Sequence, residues 1–143
     1  MKKLVCSLAV ATAFAAIPSA VRAADAAAAA PAAAEKKEAF GRLTIEEVDA
    51  MIAKKDGFIF DNNSKESFAK GHVPTAKWVE FDEVKTTDLP ADKAAKLVFY
   101  CGGEKCHACH KAAQMALELG YKNVYIMPAG ISGWEKAKKK LEA

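Results

Sequence analysis

From Phe40 onward the apolar positions switch between a helical period and short unbroken runs. Ile45, Val48, Met51 and Ile52 recur at helical spacing, and Thr44-Ile45-Glu46-Glu47 has the form of a capping box, so a helix is expected to start at Thr44 and stop at Asp56-Gly57. Phe58-Ile59-Phe60 then reads as a buried strand ending in the loop formers Asp61, Asn62 and Asn63. Lys65 to Lys70 reads as a short helix closed by Gly71, Ala76 to Val79 as a second strand, and Phe81 to Val84 as a helical turn. Leu97-Val98-Phe99-Tyr100 is the most strand-like run and leads directly into Cys101. Ala112, Ala113, Ala116, Leu117 and Leu119 mark a helix ended by Gly120, and Val124 to Met127 a further strand. Ile131 to Leu141 reads as a final helix whose lysines gather near its C-terminal end, where the macrodipole favours them. Strands separated by helices predict an α/β domain, a parallel sheet covered on both faces.

The chain before Phe40 follows other rules. Residues 1–23 place Lys2 and Lys3 ahead of an apolar stretch from Leu4 to Ile17, followed by Pro18, Ser19 and Val21-Arg22-Ala23, the layout of a cleavable export signal. A membrane-spanning helix needs about 20 uninterrupted apolar residues, and Pro18, Ser19 and Arg22 break this stretch early. Cleavage is expected after Ala23 or Ala24, giving a periplasmic or secreted protein with no stable membrane insertion. Cys6 follows the lysines too closely to serve as a lipid-attachment cysteine. Nine of the eleven residues from Ala24 to Ala34 are alanine, and Glu35, Lys36, Lys37 and Glu38 follow, so residues 24–39 read as a flexible tether with a short free helix as the alternative. Residues 40–143 are left as one domain.

The formal net charge of +3 belongs to the export segment. Three of the 21 Lys and Arg residues precede Ala24, and the remaining 18 balance the 18 Asp and Glu residues. A neutral mature domain gives no electrostatic basis for nucleic acid as a partner.

The unusual side chains are concentrated after the strand that ends at Tyr100. Cys101-Gly102-Gly103-Glu104-Lys105-Cys106-His107-Ala108-Cys109-His110 holds every cysteine beyond Cys6 and two of the three histidines. In parallel α/β folds ligands gather at the carboxyl ends of strands. A cysteine placed there, facing backbone N–H groups of a glycine-containing loop and the positive end of the next helix, has a depressed pKa. The same N–H groups of residues Gly102, Gly103, Glu104, Lys105 and Cys106 form a cradle for an anion, and Lys105, His107, His110 and Lys111 outnumber Glu104 in local charge. Such a thiolate suits attack on sulfur, phosphorus or arsenic oxyanions. The plain alternative is an inert cysteine that ends a strand.

Four stretches resemble the rhodanese-like domains. Phe58 to Asp61 followed by Glu66-Ser67-Phe68-Ala69-Lys70-Gly71-His72-Val73-Pro74 is similar to the family's strand, Asp, short helix and Gly-His-Ile-Pro-Gly-Ala element. Val98-Phe99-Tyr100-Cys101 resembles its strand into the catalytic cysteine. Leu119-Gly120-Tyr121-Lys122-Asn123-Val124 and Gly130-Ile131-Ser132-Gly133-Trp134 resemble its Gly-Tyr-x-x-Val and Gly-Gly-x-x-x-Trp stretches. The resemblance implies a five-stranded parallel sheet with helices on both faces. It also implies a sulfurtransferase in which Cys101 carries sulfane sulfur as a persulfide and passes it to a thiol or cyanide, with no cofactor required. Asn63, Thr75 and Ala129 stand where many members have Arg, Gly and Gly, and the loop after Cys101 is longer and lacks the arginine expected of it. A phosphatase or arsenate reductase would want that arginine as a planar, bidentate partner for the oxyanion.

The same cluster has other readings. Cys106-His107-Ala108-Cys109-His110 matches Cys-x-x-Cys-His, the haem c attachment signature; Met115 or Met127 could serve as a distal ligand, although core filling is the role expected of each. In an oxidising compartment three cysteines leave one unpaired, so Cys106 is expected to pair with Cys109 or to resolve Cys101. Thiolate and imidazole ligands at Cys106, Cys109 and His110 also suit Zn²⁺ or Cu⁺. Structural roles are expected for His72, which orders a turn, for Asp61, whose carboxylate caps nearby N–H groups, and for Trp134 in the core. The lysines from Lys136 to Lys140 form a solvated face.

Overall fold

The computed structural model describes residues 39–143. The export segment and nearly all of the tether lie outside the described residues. The elements run β1 (Gly41–Arg42), α1 (Ile45–Lys54), β2 (Phe58–Asp61), α2 (Lys65–Lys70), β3 (Lys77–Trp78), β4 (Lys96–Tyr100), α3 (Ala108–Glu118), β5 (Asn123–Ile126) and α4 (Gly130–Lys136). The five strands form one parallel sheet in the order β1-β5-β4-β2-β3. Among the described residues no helix is long and apolar enough to cross a membrane.

The local signals act where the sequence put them. Thr44 and Glu47 form the reciprocal capping box of α1, and Lys55 ends that helix in the left-handed region at φ 53°. Ser64 caps α2 through the backbone N–H of Ser67.

β4 is the central strand and is buried on both faces, so its pleat distributes its side chains between two cores. Leu97, Phe99 and Cys101 point to the layer that holds α3, together with Phe60 and Ile126. Val98 and Tyr100 point to the layer that holds α1 and α4, together with Val48, Met51 and Trp134. Each fully buried large side chain of this strand contributes about 1.5–3 kcal/mol of apolar burial. α3 meets the sheet through Cys109, Ala112, Ala113 and Ala116, a stripe of small residues at helical spacing.

One strand is added and two expectations change. Gly41–Arg42 pairs with Tyr125–Ile126 as an edge strand too short to register as a periodic pattern. Phe81 to Val84 forms a turn and extended chain without a helix. The last helix ends at Lys136, five residues before Leu141. There the backbone turns at Lys138 (φ 54°), the Trp134 indole donates to the Lys140 carbonyl at 2.9 Å, and Glu142 pairs with His72 through backbone bonds of 2.8 and 3.0 Å. The lysine run is therefore divided between helix end and returning tail, and Lys139 pairs with Asp49 at 2.6 Å.

The carboxyl ends of β2 and β4 are level, with Asp61 beside Tyr100 and the Asn62 N–H donating to the Tyr100 carbonyl at 2.8 Å. Asp61 is 1% exposed and accepts from the Tyr100 hydroxyl at 2.6 Å and from the backbone and side-chain N–H groups of Asn63 at 2.7 Å each. Tyr100 in turn accepts from the Val73 N–H at 3.0 Å. Burial raises the Asp61 carboxyl above its usual range against these three donors, and burial with the adjacent carboxylate pushes the Tyr100 hydroxyl up. A carboxyl raised on folding contributes stability that is present below its unfolded pKa and lost as pH rises through its folded pKa. Tyr100→Phe removes one donor and raises Asp61 further. Urea unfolding should show a loss of about 2–3 kcal/mol at neutral pH that shrinks toward about pH 4. A loss that does not vary with pH would break the link to Asp61.

Candidate active site

After β2 the chain turns outward toward β3, whereas after β4 it turns the opposite way toward β5. Their adjacent carboxyl ends therefore form the switch point of the sheet, where two loops diverge and leave a crevice. Residues 101–107 occupy it.

Two contacts hold this loop against the start of α4. The Ile131 N–H donates to the Cys101 carbonyl at 2.9 Å and the Ser132 N–H to the Gly102 carbonyl at 3.1 Å. Gly130 makes the approach possible. It has φ 58°, and a Cβ there would lie 2.3 Å from the Cys101 carbonyl oxygen and 2.5 Å from the Gly103 nitrogen. Within the loop the Cys106 N–H donates to the Gly103 carbonyl at 2.9 Å.

Cys101 is 1% exposed. Its Sγ lies 3.4 Å from the Sγ of Cys109 and 3.4 Å from the Cys106 carbonyl oxygen. α3 begins at His107 with no side-chain cap, so its first N–H groups need another acceptor. The Cys101 sulfur provides one: the thiol of Cys109, the thiol of Cys106 and the backbone N–H groups of Cys109 and Gly103 all favour its thiolate. Together they hold it down to about 5 despite the opposing effect of burial. Cys109, also 1% exposed, is pushed up by its hydrogen bond to Cys101 and by burial, and keeps its proton.

A cleft of about 670 Å³ opens beside the loop. Gly102, Gly103, Glu104, Lys105 and Cys106 line one side, and Ala129, Ser132, Gly133 and Lys136 line the other. Cys106 is half-buried there, and Glu104 and Lys105 are exposed. The sequence reading thus gathered the Cys101 to Cys106 side and missed the opposite wall, whose Lys136 adds a second cation where no arginine is present. The signal was available in part, because the Gly130 to Trp134 stretch sits at the end of another parallel strand. His107 and His110 pack edge to face at 5.2 Å, and His110 lies against Phe40 at 5.7 Å. Lys111 is placed over the Phe81 ring, so it lies outside the cleft lining.

All three thiols are free in this structure. The Cys-x-x-Cys-His segment does not fit haem attachment as it is folded: Cys109 is buried against Cys101 and presents no thiol to a porphyrin edge. Met127 is fully buried and packs in the opposite core layer. Among the described residues no group of three or more His, Cys, Asp or Glu side chains is placed to hold a metal ion. Asp61 caps the Asn63 N–H, His72 stacks on Phe68 with its Nδ1 3.0 Å from the Phe68 carbonyl, and Trp134 is 1% exposed, as their sequence positions had led one to expect. Thr75, in the place of a family glycine, adopts φ 66°.

A family model for the rhodanese-like domain matches residues 44–137, from the capping threonine of α1 to the residue after α4. The chain belongs to the rhodanese-like domain family. A curated tRNA uridine(34) hydroxylase of Hamiltonella defensa subsp. Acyrthosiphon pisum (strain 5AT) is 32% identical over 105 residues, which cover 68% of this chain and 29% of that protein. The BH2092 protein of Bacillus halodurans superposes with a TM-score of 0.67 at 24% identity, covering 72% of this chain and 77% of that one. A thiosulfate sulfurtransferase of Pseudomonas aeruginosa superposes with a TM-score of 0.64 at 23% identity, covering 72% of this chain and 20% of that one. These superpositions show the shared fold of the rhodanese-like domain, five parallel strands with helices on both faces.

The thiolate assignment is measurable by far-ultraviolet absorbance during a pH titration of protein carrying Cys6→Ser and Cys106→Ser. One thiolate should appear with a midpoint well below the ordinary cysteine value of about 8.5. Adding Cys109→Ala removes a donor and should move that midpoint upward. An unchanged midpoint would mean that Cys109 does not hold the charge on Cys101.

Proposed function

We propose that this rhodanese-like domain is a sulfurtransferase with Cys101 as its sulfur-carrying nucleophile. The observation that carries the reading is the placement of Cys101 at the end of β4, where four donors favour its thiolate inside a loop that borders an open cleft. A sulfane donor transfers neutral sulfur to that thiolate. With thiosulfate, the S–S bond of the donor breaks, sulfite leaves with the electron pair, and Cys101 becomes a persulfide anion. Attack by cyanide or a thiolate on the outer sulfur restores Cys101 and releases thiocyanate or a new persulfide.

The enclosing loop sets the conditions. Because Cys101 is 1% exposed, loading requires residues 102–106 to part by the width of a sulfur atom. Two lysines at the cleft, Lys105 and Lys136, attract an anionic donor, though as point charges without a guanidinium's paired hydrogen bonds. Small inorganic sulfur anions are therefore the proposed donors, and thiols or cyanide the proposed acceptors. No cofactor enters this chemistry. The export signal read in residues 1–23 supports a setting in the periplasm or outside the cell, and the formally neutral domain gives no electrostatic basis for nucleic acid as a partner.

Acid quenching within seconds of mixing the protein with thiosulfate or inorganic polysulfide, followed by intact mass measurement, tests the reading. The wild type should gain about 32 Da, one sulfur atom, and Cys101→Ser should not. An equal gain in both would assign the sulfur to another residue and sink the proposal.

A further inference from the structure

Cys109 serves sulfur carriage as a hydrogen-bond donor to Cys101, a task that does not require the donor to be a thiol. The stripe by which α3 packs on the sheet is otherwise alanine, at Ala112, Ala113 and Ala116, and an alanine at position 109 would satisfy the same packing. Instead Cys109 stands there with its sulfur 3.4 Å from that of Cys101, both side chains 1% exposed. Cys106, the cysteine nearer in the chain, is half-buried at the edge of the cleft, and its thiol also favours the Cys101 thiolate.

We propose that Cys109 is the resolving thiol of the Cys101 persulfide, so that the domain releases sulfane sulfur as hydrosulfide and is left with a Cys101–Cys109 disulfide. This rests on the reading of Cys101 as the sulfur carrier. In the step, the Cys109 sulfur bonds to Sγ of Cys101 and the bond from that Sγ to the outer sulfur breaks. The outer sulfur departs with the bonding electron pair and the proton from Cys109, as HS⁻. It is reduced from the sulfane to the sulfide level, and the two cysteine sulfurs supply the two electrons. Charge balances, since a persulfide anion and a thiol give a disulfide and HS⁻.

The sulfurs must close from 3.4 Å to about 2.0 Å, the length of a disulfide bond. The elements that carry them permit this: Cys109 lies in the first turn of α3, which lacks a side-chain cap, and Cys101 is the first residue of the loop that follows β4. A second turnover requires a dithiol reductant of the thioredoxin type, which returns both cysteines to thiols and becomes a disulfide itself. The domain then couples an oxidised sulfur donor to an external dithiol, a reaction class distinct from direct transfer to cyanide.

The test loads the full chain with one equivalent of inorganic polysulfide, removes small molecules, and follows released hydrosulfide and non-reduced intact mass. The wild type should lose the about 32 Da gain, end about 2 Da below the reduced protein, and release hydrosulfide. Cys109→Ser should keep the added sulfur and release hydrosulfide at least about tenfold more slowly. Dithiothreitol should restore the wild-type mass and permit a second loading. Tandem mass spectrometry of the linked tryptic peptides of the wild type should join Cys101 to Cys109, a readout that does not depend on any variant folding, and Cys109→Ala offers a packing-matched repeat. A link from Cys101 to Cys106, or persulfides equally long-lived in wild type and Cys109→Ser, would overturn the role of Cys109 while leaving Cys101 as carrier. Failure of both proteins to take up sulfur would instead remove the carrier reading and this inference with it.

Discussion

The two-residue period of a strand buried on both faces governs the site. β4 cannot slip by one residue without exchanging its two cores, because Leu97 and Phe99 fill one layer and Val98 and Tyr100 the other. That register carries beyond the last ladder bond. Tyr100 sends its hydroxyl to Asp61 and Val73 on one side, and Cys101 continues the parity of Phe99 and sends its thiol to α3 on the other. Two consecutive residues thus anchor the two loops that flank the crevice, the first by a hydrogen-bond network centred on Asp61 and the second by a charge.

What that charge meets depends on how closely a helix can approach. Small side chains at Cys109, Ala112, Ala113 and Ala116 let α3 lie low on the sheet, with its uncapped first turn beside the end of β4. Orphan N–H groups at a helix start require an acceptor. A serine or aspartate at position 107 would satisfy them locally, whereas His107 leaves a donor for the Cys101 sulfur. Gly130 performs the matching task on the other flank, where the start of α4 holds the loop carbonyls of Cys101 and Gly102. One helix start favours the thiolate and the other fixes the backbone that encloses it.

The fold was readable wherever burial imposes a period. The strands at Phe58, Leu97 and Val124, the capping box at Thr44 and the glycine stop at Gly120 all report local constraints, and they account for the central strands and the helices between them. The edge strand at Gly41–Arg42 and the end of α4 were not readable in that way. Each is decided by a partner distant in sequence, Tyr125 in the first case and His72 in the second. The candidate nucleophile was legible because cysteine, glycine and charge converge at a strand end. Its partnership with Cys109 was not, since spacing along the chain favours Cys106. The helical stripe Cys109, Ala112, Ala113, Ala116 held that information, and it becomes decisive only when combined with the parity of β4. The wall formed by Ala129, Ser132 and Lys136 was only partly legible, since its place at a strand end is a local signal but its approach to the loop requires the tertiary path of α4.

The depressed thiol of Cys101 and the raised thiol of Cys109 are one physical event seen from two sides. A single proton lies between two buried sulfurs, and the Cys106 thiol and the Gly103 N–H, which favour charge on Cys101, tip it toward Cys109. This asymmetry orders the proposed chemistry. While Cys101 is a thiolate, Cys109 is protonated and a poor nucleophile, so an arriving donor meets Cys101 first. Once Cys101 carries an outer sulfur, the negative charge moves to that atom and Sγ becomes an electrophilic disulfide sulfur. The hydrogen bond that held the proton on Cys109 loses its acceptor at the moment when a route for that proton, to the departing sulfur, comes into being. A pair of identical residues thereby acquires distinct roles from the backbone donors around them, with no need for a separate acid or base.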